Sequence, residues 1–262
     1  MHLLVTNDDG IDSIFLHELV QALQAAGHTL AVVAPKHEQS WIGAAKSRHR
    51  PVSSATADRG FGCPTWIVDG TPSDCVNIAL AHLLPNASGS RPVEAVVSGI
   101  NVGLNASLGF ILASGTIGGA WEGAVHGLPA LAFSQDLSFA AYDRLKQTGG
   151  RPAPSLLQVL RISARHAARL VPKLARHTTA RSFTVHNINF PNRCRPGTAV
   201  RRTVPAQVIV PGLFSPAQDD GTHRFVFQLG KDVSPARPLT DRAALASGHI
   251  SHSILDYRTL GR

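Results

Sequence analysis

The chain has 262 residues, 44% of them hydrophobic and 16% charged, too apolar for a disordered chain and long enough for one large domain or two small ones. No apolar run approaches the ~18 residues of a membrane-spanning helix, and the early acids Asp8 and Asp9, with no basic leader ahead of them, argue against a secretory signal peptide. The 25 Lys+Arg against 17 Asp+Glu give a net charge of +8, a balance that suits nucleic acid, an anionic substrate or plain Arg-rich usage.

Residues 3–5 form a short apolar run that reads as a buried strand, and Asn7-Asp8-Asp9-Gly10 follows as turn chemistry. Leu16, Leu19, Val20 and Leu23 then recur along one face of a helix that Gly27 ends. Residues 30–34 make a second buried strand, stopped by Pro35. The result is a β-α-β unit, whose crossover implies parallel pairing. The Cys63, Cys75 and Cys194 thiols contain no C-x-x-C pair, so they suggest neither a zinc site nor a disulfide framework and suit a reducing cytoplasm.

The pattern then repeats. Residues 75–84 are helical on Val76, Ala79, Leu80 and Leu83, and 95–97 is a strand ending at Ser98-Gly99. Ile117, Ala120, Trp121 and Ala124 mark a helix that opens after Ser114-Gly115-Thr116, and 130–133 is the next strand. A linker at 148–152 precedes a long helix from about 154 to 176, whose Arg161, Arg165, Arg169 and Lys173 form a solvated stripe. Residues 183–190 read as the last clear core strand. Beyond it, 208–210 and 224–229, joined through Asp219-Asp220-Gly221, predict a β-hairpin outside the parallel core. The expected architecture is α/β: a Rossmann-like, doubly wound, mostly parallel sheet. It forms a single domain over 1–262, with a core at about 1–204 and a hairpin and C-terminal extension at about 205–262.

Ligands of open parallel sheets bind beyond the carboxyl ends of the strands. Three polar clusters fall there: Asn7, Asp8 and Asp9; Glu38, Gln39 and Ser40; Ser98, Gly99 and Asn101. All offer hard oxygen ligands, suited to Mg²⁺ or Mn²⁺, and a cation is the simplest way to keep two adjacent carboxylates ionised. Ser114-Gly115-Thr116 adds a helix start able to receive a phosphate. A divalent metal beside a phosphate cradle points to phosphoryl chemistry, the metal polarising the phosphoryl group and activating water.

These residues resemble a known family. VTNDDGI (5–11), EQS (38–40), DGTPSDCV (69–76), SGIN (98–101), SGTIGGAWEG (114–123), NINFPN (187–192) and TDRAALASGHIS (240–251) occur in that order. The series is similar to the SurE (survival protein E) family of metal-dependent 5′-nucleotidases. The resemblance implies hydrolysis of nucleoside 5′-monophosphates to nucleoside and phosphate, with 3′-nucleotides in reach. It implies one divalent cation per subunit, Mg²⁺ or Mn²⁺, on Asp8, Asp9, Ser40 and Asn101, with Asp8 or Asp9 as proton acceptor. Asn7, Asn105, Ser114, Gly115 and Thr116 would line the phosphate pocket. It also implies a homodimer or homotetramer built with the hairpin region. Three segments depart from the family pattern: Trp41, where a small residue is common; Asp12-Ser13-Ile14-Phe15; and 105–113 (NASLGFILA), which lacks the usual acid and tyrosine. They alter the wall that faces substrate.

Other readings are weaker. A haloacid-dehalogenase-type phosphatase needs two Asp separated by one residue, whereas Asp8 and Asp9 are adjacent. A nucleic-acid module finds no aromatic-interleaved basic tract, and the surplus Arg would at most steer anionic substrates in a salt-dependent way. A phosphatase for another small phosphomonoester and a catalytically weak nucleotide sensor stand as alternatives. The expected substrate is thus a small phosphomonoester, with no nucleic acid or membrane partner and a cytoplasmic location.

Overall fold

The computed structural model describes residues 1–87 and 91–259. Its centre is a nine-stranded sheet built from β1 (His2–Thr6), β2 (Thr29–Pro35), β3 (Ser54–Thr56), β4 (Thr65–Val68), β5 (Ala95–Val102), β6 (Ala130–Gln135), β7 (Thr184–Phe190), β8 (Val200–Thr203) and β11 (Ile250–Asp256), in the order β3-β4-β2-β1-β5-β6-β7-β11-β8. Six neighbours from β4 through β7 run parallel, while β3 and β11 are antiparallel to β4 and β7. A second ribbon pairs β9 (Val208–Ile209) with β10 (Lys231–Asp232).

Helices cover both faces. On one lie α1 (Ile14–Ala25) and α6 (Pro154–His177); on the other lie α2 (Pro72–Ile78) and α4 (Gly115–Val125). The strand residues alternate between these layers. Leu3, Val5, Val32, Val97 and Phe133 pack under α1 and α6, whereas Leu4, Val33 and Val96 face α2. This two-sided burial is why the parallel strands read as unbroken apolar runs. Three shorter helices, α3 (Leu108–Ala113), α5 (Phe139–Gln147) and α7 (Asp241–Ala246), sit in connections.

The doubly wound sheet and its β-α-β start are as expected, and the Arg161, Arg165, Arg169 and Lys173 stripe is exposed, with Arg161 paired to Glu18 at 3.1 Å. Several details are corrected. The strand predicted at 95–97 continues to Val102, through an irregularity between Ser98 and Asn101. Gly99, at φ +127°, makes this possible, because a Cβ there would sit 2.3 Å from the Phe133 carbonyl oxygen. The helix expected from 75 starts at Pro72, where Thr71 and Asp74 form a reciprocal cap, and its end widens into a π-turn, Ala79–Leu83. Residues 184–190 are not the last core strand: β11 pairs with β7 from Ser251 to Asp256, and β8 pairs with β11. The hairpin exists, but its ladder joins Val208–Ile209 to Lys231–Asp232, with Phe214 and Phe225 bridging further out.

Candidate active site

The strand order reverses between β1 and β5: β2 and β4 lie to one side, β6 and β7 to the other. A crevice opens at such a switch point, and Asp8 and Asp9 follow β1 there. Asn7 donates from Nδ2 to the Gly10 carbonyl at 2.8 Å and closes the turn. The Asp8 carbonyl accepts the Gln39 N–H at 2.7 Å, which ties the loop after β2 to the same spot.

Asp8 is 3% exposed. Its Oδ1 accepts the Thr116 hydroxyl at 2.6 Å, and the Thr116 backbone supports it as well. A Cβ on Gly115 would fall 2.8 Å from the Asp8 Cβ, so α4 approaches this closely only because residue 115 is glycine. Asp9 Oδ2 accepts the Val102 N–H at 3.0 Å, next to Asn101, whose Nδ2 donates to the Gly103 carbonyl at 2.8 Å. The bend after Ser98 thus brings Asn101 beside the acids.

Burial raises both carboxylates. Asp8 is pushed up to about 6 by desolvation, against the hydrogen bonds from Thr116, with Glu38 adding repulsion. Asp9 is pushed well up by desolvation and by Asp8 beside it. Among the described residues no ion pair reaches either acid. The Asn7 Oδ1 and Ser98 Oγ atoms are buried without a hydrogen-bond partner. Two uncompensated carboxylates and an unpartnered carboxamide oxygen fit a hard divalent cation. Among the described residues no three His, Cys, Asp or Glu side chains group as a metal site, so neutral oxygens such as that of Asn101 would complete the shell.

The remaining expected residues are placed unevenly. Ser40 is exposed, and its N–H donates to Glu38 Oε1 at 3.0 Å; no hydrogen bond among the described residues joins it to the acids. Ser114 Oγ caps α4 by accepting the Ile117 N–H at 3.1 Å. Thr116 grips Asp8. Asn105 is locked into a buried net: its N–H donates to Asn189 Oδ1 at 2.8 Å, its Nδ2 to Ser134 Oγ at 2.9 Å, and its carbonyl accepts from Asn187 and Asn189.

Sequence reasoning missed Ser134, Asn187, Asn189 and Asp241 as supports of this loop. Asp241 is fully buried and accepts the backbone N–H groups of Ser107, Ala206 and Arg242 at 2.8–2.9 Å. The signal for the asparagines was present: two carboxamides at alternate positions of one strand share one face, and buried amides need partners.

Two of the departures, Trp41 and the 105–113 segment, meet. Gly43 donates to the Ala113 carbonyl at 2.9 Å, so the loop of residue 41 lies against the end of α3. Trp41 packs there against Phe110, Phe225 and Phe227, with ring centroids 5.6, 5.0 and 6.4 Å away.

The family model described as survival protein SurE matches residues 3–208. This chain belongs to the SurE family. The "5′-nucleotidase SurE" of Solidesulfovibrio magneticus is 36% identical over 96% of this chain and 89% of its own length. The protein of the same name from Nostoc sp. is 38% identical over 60% of the chain and 61% of its own length, so that match spans less than two thirds of the relative. Among solved structures, the SurE protein from Aquifex aeolicus superposes with a TM-score of 0.72 at 25% identity, covering 98% of this chain and 93% of that one.

Proposed function

We propose that this SurE-family chain is a divalent-metal-dependent phosphomonoesterase, a 5′-nucleotidase that converts nucleoside 5′-monophosphates to nucleoside and phosphate. The observation that carries this reading is the adjacent pair of buried Asp8 and half-buried Asp9 at the β1/β5 switch point, with no ion pair to either among the described residues. Asp8, Asp9, Ser40 and Asn101 would hold one Mg²⁺ or Mn²⁺, which supplies Lewis-acid polarisation of the phosphoryl group.

The chain's own residues do the rest. Thr116 fixes the Asp8 carboxylate through its hydroxyl, and the Val102 N–H fixes Asp9, so neither has to reorient during reaction. Asp8 or Asp9 takes the proton of the attacking water. Asn7, Asn105 and the Ser114-Gly115-Thr116 start of α4 line the phosphate pocket. The buried net around Asn105 fixes that loop. The 12–15 and 105–113 segments depart from the family pattern, so a different small phosphomonoester is the second reading.

Among the described residues no helix is long and apolar enough to cross a membrane. We place the protein in the cytoplasm, as a homodimer or homotetramer joined through the hairpin of 208–232. The test is a panel of nucleoside monophosphates and sugar phosphates assayed with Mn²⁺ or Mg²⁺, with and without EDTA. Phosphate release that EDTA abolishes is expected. Activity indifferent to EDTA contradicts the metal assignment, and silence on every substrate revives the sensor reading.

A further inference from the structure

We propose that Trp41, together with Phe110, Phe225 and Phe227, forms a platform on which the planar base of a nucleotide stacks while its phosphate lies in the pocket of Asn7, Asn105 and the Ser114-Gly115-Thr116 helix start. The platform rests on the phosphomonoesterase reading and narrows its substrates to those whose leaving alcohol carries a planar aromatic base.

Position comes first. Trp41 directly follows Ser40, in a loop pinned at one side to Asp8 by the Gln39 N–H and at the other to Ala113 by the Gly43 N–H. Phe110 lies on α3, which leads straight into Ser114 and the α4 start. The segment tied to Asp8 through Gln39 and the segment leading into Ser114 each carry a ring, and the two rings pack edge to face at 5.6 Å. The rings thus stand on the two loops that carry Ser40 and lead into Ser114, the side on which the nucleoside part of a bound substrate would lie.

The backbone adds a second observation. Trp41 adopts φ +63°, the left-handed region, where a bulky side chain is an outlier. Such a conformation persists only where its surroundings impose it, and such residues gather at functional sites. The surroundings are three phenylalanine rings, two of them delivered by the hairpin. Yet the cluster is not closed: Trp41, Phe225 and Phe227 remain 40%, 46% and 48% exposed. Phe110 and Phe227 stack at 29° and 5.8 Å, which shows that the rim already accommodates parallel rings. No charged side chain is part of the cluster, so the surface suits an uncharged planar base better than a second phosphate or a bare sugar. Stacking of this kind tolerates every base, because each has a π-face.

The test compares AMP with ribose 5-phosphate, which presents the same phosphoester without the base, on the full chain with saturating Mn²⁺. Trp41→Gly relieves the backbone and removes the ring; Phe227→Leu removes a ring without touching the loop and carries the same comparison if the first variant fails to fold. The ratio of KM for AMP to KM for ribose 5-phosphate should rise on the order of tenfold in either variant, and Trp41→Phe should restore part of it. A ratio that stays at the wild-type value, with both KM values moving together or not at all, reduces the rings to a hairpin anchor and overturns the platform. If the wild-type chain releases no phosphate from either compound, the phosphomonoesterase reading itself falls, and the platform with it.

Discussion

Burial sets the behaviour of Asp8 and Asp9, and single substitutions there separate charge from shape. Asp9→Asn removes a buried charge that repels Asp8. The metal-free variant should therefore melt no lower than the metal-free wild type. Mn²⁺ at about a hundred times its Kd should stabilise the wild type by about 2.7 kcal/mol, which is roughly 5–10 °C for a domain of this size. The variant should lose that rise, and an equal rise in both proteins would place the cation elsewhere. Thr116→Val keeps the shape and deletes the hydroxyl that donates to Asp8 Oδ1. That hydrogen bond holds the Asp8 carboxyl down, so the acid limb of kcat/KM against pH should move to higher pH. An unmoved limb would mean that the hydroxyl serves α4 alone.

At the level of elements, the site depends on two close fits: α4 against β1, and α7 against the 103–107 loop. Gly115→Ala puts a methyl 2.8 Å from the Asp8 Cβ and should cost tenfold or more in kcat/KM while the chain still folds, as read by rate assay and far-ultraviolet circular dichroism. Asp241→Ala strands the N–H groups of Ser107 and Ala206, at about 1–3 kcal/mol for each buried donor left unpaired. A lowered urea midpoint should report it. The elements also differ in how far the sequence discloses them. β1, β2, β5 and β6 announce themselves as apolar runs because both faces are covered. β11, with Ser251, His252 and Ser253 at its centre, hides because its pairing partner β7 is itself polar and Ser253 finds buried company in Thr203 at 2.8 Å. The placing of Asp8 and Asp9 just past β1 was legible from the strand end, whereas Asn101, expected past a strand, lies inside β5. The role of Thr116 was not legible, since a helix-start threonine reads as a phosphate contact until the 2.6 Å bond to Asp8 is seen.

Across the whole molecule, the far side of the sheet carries an acid-sensitive joint between β7 and β11. His186 Nδ1 and His252 Nε2 lie 2.9 Å apart, and His186 Nε2 meets Thr178 Oγ1 at 2.7 Å. Desolvation, then His252 and Arg202, lower His186 to about 4, and desolvation and Arg202 lower His252 to about 4. In the unfolded chain these rings take up protons near pH 6.5; in the fold they do so only near 4. The unfolded state binds more protons between those values, so stability falls as pH drops through that window, by up to about 1.36 kcal/mol per pH unit per ring. The melting temperature should decline from pH 6.5 to 4 more steeply in the wild type than in His252→Gln. The net charge of +8 acts at the same scale: it should make KM for a nucleotide rise with added salt, because screening weakens long-range attraction of the anion. The most direct test of the proposed metallophosphatase centre is kcat/KM for AMP in Mn²⁺, measured for the wild type and for Asp8→Asn. A loss on the order of 10²-fold or more is expected, the metal being worth several kcal/mol in the transition state. Wild-type turnover in Asp8→Asn would contradict the assignment of the site.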